Sequence, residues 1–215
     1  MIQLHYFPGN ASFTPHLLLE ELGVPFELKL VDRANNAHKS PEYLKLNPNG
    51  LIPVLVDGDL VLYETAAIML HLVDTHPAAA LAPALGTAER AHFYKWLVWL
   101  SASLQSQMPM YFYTDRYVAP GNAAGASEVK ALTEARIVSL LDQIEAHLVS
   151  HRGPWMMGDR FSALDPYTFM LCRWTRAMSR PARTLPHVGP FLERMLQRPA
   201  TQAVIAREKL PQPWV

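Results

Sequence analysis

The chain has 215 residues, half of them hydrophobic and 18% charged, enough apolar material to bury a sizeable core and to exclude wholesale disorder. Its 19 Lys and Arg balance 19 Asp and Glu. No basic run interrupts that balance, so nucleic acid and anionic membrane surfaces are poor partners. The single cysteine, Cys172, excludes an intramolecular disulfide and a cysteine-based zinc site, and a reducing compartment fits it. The start Met1-Ile2-Gln3-Leu4-His5-Tyr6 lacks the basic and apolar regions of a signal peptide, and no stretch approaches the about 18 apolar residues of a membrane span. The expectation is a cytoplasmic protein.

Residues 2–7 are apolar and aromatic and run into Pro8-Gly9-Asn10, which predicts a short buried strand ending in a turn. Leu17, Leu18 and Leu22 recur at helical spacing. Thr14 is the expected N-cap of that helix, Pro15 its first residue and Gly23 its stop. Phe26 to Val31 reads as a second strand, so the opening is a right-handed parallel βαβ unit. Residues 32–50 are polar, with a short helix expected over Pro41 to Leu46. Val54-Leu55-Val56 and Leu60-Val61-Leu62 flank Asp57-Gly58-Asp59, a strong hairpin signal. Ala66, Ala67, Leu70 and Val73 then form a helical stripe.

His76-Pro77 ends this pattern, and the Ala/Pro/Gly-rich stretch after it reads as a linker. Expected helices follow over Ala88 to about Tyr113, Ser127 to Ser150, Ala163 to Met178, Val188 to Leu196 and Thr201 to Arg207. The expected organisation is an α/β domain over residues 1–78, a linker over 79–86, and an all-α bundle of about five helices over 87–215.

With the elements in this order, the chain resembles the cytosolic glutathione S-transferases over essentially its whole length, and most closely the bacterial beta class. The resemblance is carried by Tyr6-Phe7-Pro8-Gly9-Asn10-Ala11-Ser12, by Asn47-Pro48-Asn49-Gly50-Leu51-Ile52-Pro53-Val54-Leu55, and by Tyr63-Glu64-Thr65-Ala66-Ala67-Ile68. Gly158-Asp159-Arg160-Phe161-Ser162-Ala163-Leu164-Asp165 and Cys172-Arg173-Trp174 add to it. It implies a thioredoxin-like first domain that binds glutathione, an all-helical second domain that lines a hydrophobic substrate site, and a homodimer.

The resemblance implies a cis peptide before Pro53, with Leu51, Ile52 and Pro53 at the glutathione site. The Ile52 NH and CO would then pair with the cysteinyl unit of glutathione as an added strand does. Glu64-Thr65 opens a helix. Thr65 can meet a carboxylate there and Glu64 an ammonium, and the γ-glutamyl end of glutathione carries both charges. Asn35 and Ala11 are further glutathione-binding positions that the resemblance implies.

The family activates the thiol at the turn Asn10-Ala11-Ser12. A helix N-terminus and a hydroxyl donor stabilise a thiolate, and lowering a thiol pKa by about two units takes about 2.7 kcal/mol. Beta-class members carry cysteine where this chain has Ala11, so a mixed disulfide with glutathione there is excluded. Ser12 is then the first candidate for the catalytic donor and Asn10 the second. The alternative role for Ser12 is that of a cap or turn residue.

A second departure lies on the long helix, where Gln105-Ser106 replaces a His-Lys pair and Val98 and Ser103 replace polar residues. On the same helix lie Met108, Pro109, Tyr111, Phe112 and Tyr113. Gln105, Met108, Phe112 and Trp174 are the candidate hydrophobic substrate pocket, although such a stripe is more often core. Met suits a pocket of loose specificity.

Ser162-Ala163-Leu164-Asp165 reads as a structural capping box with Asp in place of Glu. His147 and His151 are spaced i, i+4, but no third ligand is evident, so no metal is expected. Cys172, on an apolar helix face, reads as an inert buried thiol.

The expected function is transfer of glutathione, as co-substrate, to a hydrophobic electrophile. A glutathione-dependent disulfide reductase or isomerase, and a non-catalytic binder of glutathione or apolar ligands, are the alternatives.

Overall fold

The computed structural model describes residues 1–151 and 153–215. By contacts they divide into two compact units, Met1–Ala82 with Met195–Gln212, and Pro83–Arg194 with Pro213–Val215.

The first unit is built on a four-stranded sheet of β1 (Ile2–Tyr6), β2 (Phe26–Leu30), β3 (Val54–Asp57) and β4 (Leu60–Tyr63), in the spatial order β2-β1-β3-β4. β1 pairs with β2 in parallel, and β3 runs antiparallel to both β1 and β4. The parallel pair is joined by α1 (Phe13–Leu22), as the βαβ reading expects. Gly23 ends α1 at φ +64, a conformation that costs a residue without Cβ nothing. The helix starts two residues before the expected Pro15. Ser12 occupies the cap position in helical geometry with no side-chain capping bond, because its hydroxyl is engaged elsewhere. α2 covers the expected Pro41–Leu46, capped by Ser40, which accepts the Tyr43 N–H. It covers a small apolar cluster of Val31, Tyr43, Ile52 and Val54.

The helix after the hairpin, α3 (Thr65–Thr75), buries Thr65, Ile68, Met69, Leu72 and Val73. This face is rotated from the expected Ala66/Ala67/Leu70/Val73 stripe. Ile68, Met69 and Leu72 each release more apolar surface on burial than an alanine, so they take the core side. The last helix, α9 (Pro199–Arg207), also belongs to this unit and packs on α1; the sequence pattern had placed it with the helical half.

The second unit contains α4 (Ala88–Trp99), α5 (Gln107–Phe112), α6 (Ala123–His151), α7 (Leu164–Trp174) and most of α8 (Val188–Leu196). The expected helix over 88–113 is broken. A π-helical stretch, Leu100–Gln105, separates α4 from α5. Pro109 gives the reason: it has no N–H for the Gln105 carbonyl four residues before it, and its ring clashes with that carbonyl. α7 stops at Trp174 rather than Met178, and Thr175 turns the chain by donating its hydroxyl to the Cys172 carbonyl at 2.7 Å. Phe93, Leu97, Leu104, Ile137, Leu141, Ile144, Tyr167 and Phe191 are buried here. Among the described residues, no helix is long and apolar enough to cross a membrane.

Candidate functional site

Strand register brings the candidate residues of the first unit together. His5 of β1 lies opposite Val54 of β3, and Val54 lies opposite Tyr63 of β4. Beyond this row, β1 runs through Tyr6 into Phe7–Ser12, β3 is entered from Leu51-Ile52-Pro53, and β4 runs into Glu64-Thr65. Three segments far apart in sequence therefore leave one end of the sheet side by side.

The Ile52–Pro53 peptide is cis, as the resemblance implied. Among the described residues, the Ile52 backbone N–H and C=O have no hydrogen-bond partner. The neighbouring Leu51 carbonyl is taken by the Tyr43 hydroxyl at 2.8 Å and the Asn47 amide at 2.9 Å, so Leu51 offers its exposed side chain only. A backbone pair left open before a strand is what an extended peptide can extend.

Glu64 stands at φ +72, ψ +118, a combination that costs a residue with Cβ roughly 1–3 kcal/mol and clusters at binding sites. It is exposed, and its carboxylate has no partner among the described residues. Thr65 is buried at the first position of α3 and makes no side-chain capping bond. A carboxylate above an open helix N-terminus can take one cation and one anion at adjacent points.

The turn after β1 is tightly held. Ser12 is fully buried. Its hydroxyl donates to the Phe7 carbonyl at 3.1 Å and accepts the Phe7 N–H at 3.2 Å. Asn10 is half-buried; its side-chain oxygen accepts the Ala11 N–H at 2.7 Å, and its amide N–H₂ has no partner among the described residues. Asn10 thus has a side-chain donor to spare, and Ser12 does not. Ser12→Ala strips the Phe7 N–H of its partner, leaves the Phe7 carbonyl with the Asn10 N–H alone at 3.1 Å, and is expected to cost about 2 kcal/mol, seen as a lower Tm. Asn10→Ala removes only a local bond and should cost less than half of that.

Asn35 lies apart from this constellation in its bonding. It is exposed, with its amide donating to Asp32 at 2.6 Å, and the same bond holds the Asp32 carboxyl below its ordinary range.

In the second unit, Gln105 accepts the Tyr167 hydroxyl. Phe112 is exposed and stands edge-on to Trp174 with ring centroids 6.5 Å apart. Met108 is only 1% exposed, so it is a core side chain. Cys172 is buried, which pushes its thiol up to about 12.

His147 and His151 do meet, with Nε2 atoms 2.8 Å apart. His147 also bonds the Met156 carbonyl at 2.9 Å and packs on Trp96. Among the described residues no group of three His, Cys, Asp or Glu could hold a metal. Burial pushes His147 down to about 4. A histidine depressed in the fold takes up its proton in the unfolded chain first. Stability is therefore whole above pH 6.5 and falls as the pH drops from 6.5 towards 4. With His147 partly exposed, the loss is about 1 kcal/mol, or ~2–4 °C in Tm. Scans at pH 7 and pH 4.5 should show it, and His147→Gln should flatten that difference.

Two family models match the chain. Residues 1–74 match the glutathione S-transferase N-terminal domain, and residues 108–208 match a glutathione S-transferase C-terminal domain. The glutathione S-transferase GST-4.5 of Xanthomonas campestris is 31% identical over 97% of this chain and 100% of its own length. The disulfide-bond oxidoreductase YfcG of Escherichia coli is 28% identical over 98% of this chain and 97% of its own. Among solved structures, a Sulfitobacter glutathione transferase homologue with bound glutathione is 26% identical, with a TM-score of 0.88 over 98% of this chain and 99% of that one. A beta-class enzyme of Sphingomonas chungbukensis is 28% identical, with a TM-score of 0.82 over 97% and 100%.

Proposed function

The chain belongs to the glutathione S-transferase family, and on that basis we propose that it binds glutathione in its first unit and joins the glutathione thiolate to a hydrophobic electrophile, a carbon–sulfur bond forming as the electrophile's leaving group departs. The observation that carries this is the shared end of the sheet, where the open Ile52 backbone stands beside Glu64-Thr65 and the Asn10 turn. In this reading the cysteinyl unit pairs with Ile52, and the γ-glutamyl ammonium meets Glu64. Its carboxylate meets Thr65 at the start of α3. The thiol then faces the N-terminal end of α1. The α1 dipole and the Asn10 amide stabilise the thiolate, while Ser12 keeps the turn in shape. Gln105, Phe112 and Trp174 are the proposed groups for the apolar substrate, and the buried Met108 is not among them. Its chemistry would be detoxification of an electrophile by a cytoplasmic enzyme. A homodimer is proposed with it. Exposed Tyr94 and Val98, one turn apart on α4, support that proposal.

Calorimetry with glutathione and turnover of a chloronitroarene test this reading together. Micromolar to millimolar binding with turnover is expected. Binding without turnover would leave a glutathione-binding protein and remove the transferase.

One observation favours a second reading. The turn holds no cysteine, yet a relative of similar length is a disulfide-bond oxidoreductase. Glutathione-dependent reduction of a small disulfide, abolished by Asn10→Ala, would select it.

A further inference from the structure

Glu208 lies 199 residues from Gly9 in sequence, yet its carboxylate accepts the Gly9 N–H at 2.7 Å. Its other oxygen meets Nδ1 of His16 on α1 at 2.8 Å. Both Glu208 and His16 side chains are fully buried. Gly9 stands at φ +67, where a left-handed backbone favours glycine, and it is the residue that turns β1 towards Asn10, Ala11 and Ser12.

This placement runs against what a helix end prefers. Glu208 caps the C-terminus of α9, where a carboxylate meets the negative end of the dipole. The chain closes there in a Schellman turn: Leu210 N–H to the Ile205 carbonyl at 3.0 Å, and Lys209 N–H to the Ala206 carbonyl at 3.2 Å. Lys209 takes the left-handed position at φ +52, which glycine usually fills. A buried charge at the wrong helix end, beside a left-handed lysine, persists only where its partners repay it. Those partners are the Gly9 amide and the His16 ring.

We propose that Glu208 is a positioning residue for the thiol site: it clamps Gly9 and, through His16, the first turn of α1, and so sets the orientation of the Asn10–Ser12 turn. The other charged or titratable groups around the clamp are Glu20, 3.8 Å from His16 Nε2, Arg207, 2.6 Å from Glu20, and Tyr6, edge-on to His16 at 6.2 Å. Burial first, and then the Glu208 charge, hold the Tyr6 phenol up. A second link between α1 and the α9 segment, Arg198 to Glu21 at 2.6 and 2.7 Å, fastens the same packing without touching Gly9, and it provides the control.

The inference rests on the glutathione site proposed above. Glu208→Ala, Glu208→Gln and Arg198→Ala are compared by Tm, by glutathione calorimetry, by ultraviolet titration of the bound thiolate, and by amide exchange of residues 9–12. Glu208→Ala should weaken glutathione binding about tenfold, raise the pH at which the bound thiol ionises, and speed exchange at Gly9. Glu208→Gln should restore most of the affinity, since an amide oxygen still accepts from Gly9 and its N–H₂ stands within reach of the His16 ring. Arg198→Ala should lower Tm yet leave affinity and thiol ionisation as in wild type. Wild-type affinity and thiol ionisation in Glu208→Ala, with only a lower Tm, would overturn the positioning role while the glutathione site stands. Failure of wild type itself to bind glutathione would overturn the site reading, and slow Gly9 exchange in Glu208→Ala would overturn the clamp independently of any ligand.

Discussion

Replacing Glu64 by Ala is expected to weaken glutathione binding by about thirtyfold and to leave thermal stability almost unchanged. Glu64 is exposed and its carboxylate has no partner among the described residues, so the fold loses no contact with it. Alanine has the same Cβ at φ +72, and the backbone cost is therefore the same in both proteins. What disappears is the group proposed to meet the ligand's ammonium. A hydrogen bond to a charged group contributes about 1.5–3 kcal/mol, and each 1.4 kcal/mol is about tenfold in affinity. Calorimetry and a melting curve on one preparation separate the two effects. Wild-type affinity in Glu64→Ala would remove Glu64 from the site. A large fall in Tm would make it a structural residue.

The second large effect is opposite in kind. Asp165→Ala should cost about 4 kcal/mol of stability, ~8–16 °C in Tm for a chain of this size, with no direct effect on glutathione contacts. The Asp165 carboxylate is fully buried. It accepts the Met156 N–H and the Ser162 N–H, both at 2.7 Å, and the Ser162 hydroxyl at 3.3 Å. Ser162 in turn accepts the Leu164 N–H. Alanine would strand two N–H donors, that of Ser162 at the start of α7 and that of Met156 in the preceding turn, each costing about 1–3 kcal/mol, with a cavity added. Asp165→Asn keeps one acceptor and turns a donor towards a donor, so it should fall between. A fall in Tm below about 3 °C for Asp165→Ala would show that water or a shifted loop replaces the carboxylate. The capping motif was visible in sequence. The Met156 bond, which ties the preceding turn to the same carboxylate, was not, because nothing in the spacing of residues 156 and 165 announces it.

Much of the first unit was legible for local reasons. A strand followed by Pro-Gly, a helix stopped by Gly23, and a hairpin at Asp57-Gly58 are decided by φ and by periodicity within a few residues. The short helix Pro41–Leu46 came out at its expected bounds because Ser40 and Pro41 begin it by chemistry of their own. The candidate residues at Ile52, Glu64 and Thr65 were also visible, through the resemblance carried by their neighbours.

Where the structure adds to or departs from the sequence pattern, the deciding term is non-local. The buried face of α3 was settled by what lay beneath it, and larger side chains displaced alanines. The break after Trp99 came from Pro109, whose missing donor acts one turn back on a helix that otherwise has an unbroken pattern. A hydroxyl at a helix start makes Ser12 the first candidate for thiol donor from sequence. Tertiary structure turned the hydroxyl inward to hold Phe7, leaving Asn10 with the free donor. Helix periodicity marks α9 and groups it with the other helices, whereas its packing on α1 puts it with the first unit.

The order of strands and helices, the family and the residue types offered at the sheet end are all readable along the chain, because they depend on chemistry within a turn or two. Tertiary structure alone decided which hydroxyl faces inward and which carboxylate, Glu208, reaches across 199 residues to the Gly9 amide. Such choices depend on which groups pack together, and a buried polar group takes the partner that packing brings within reach.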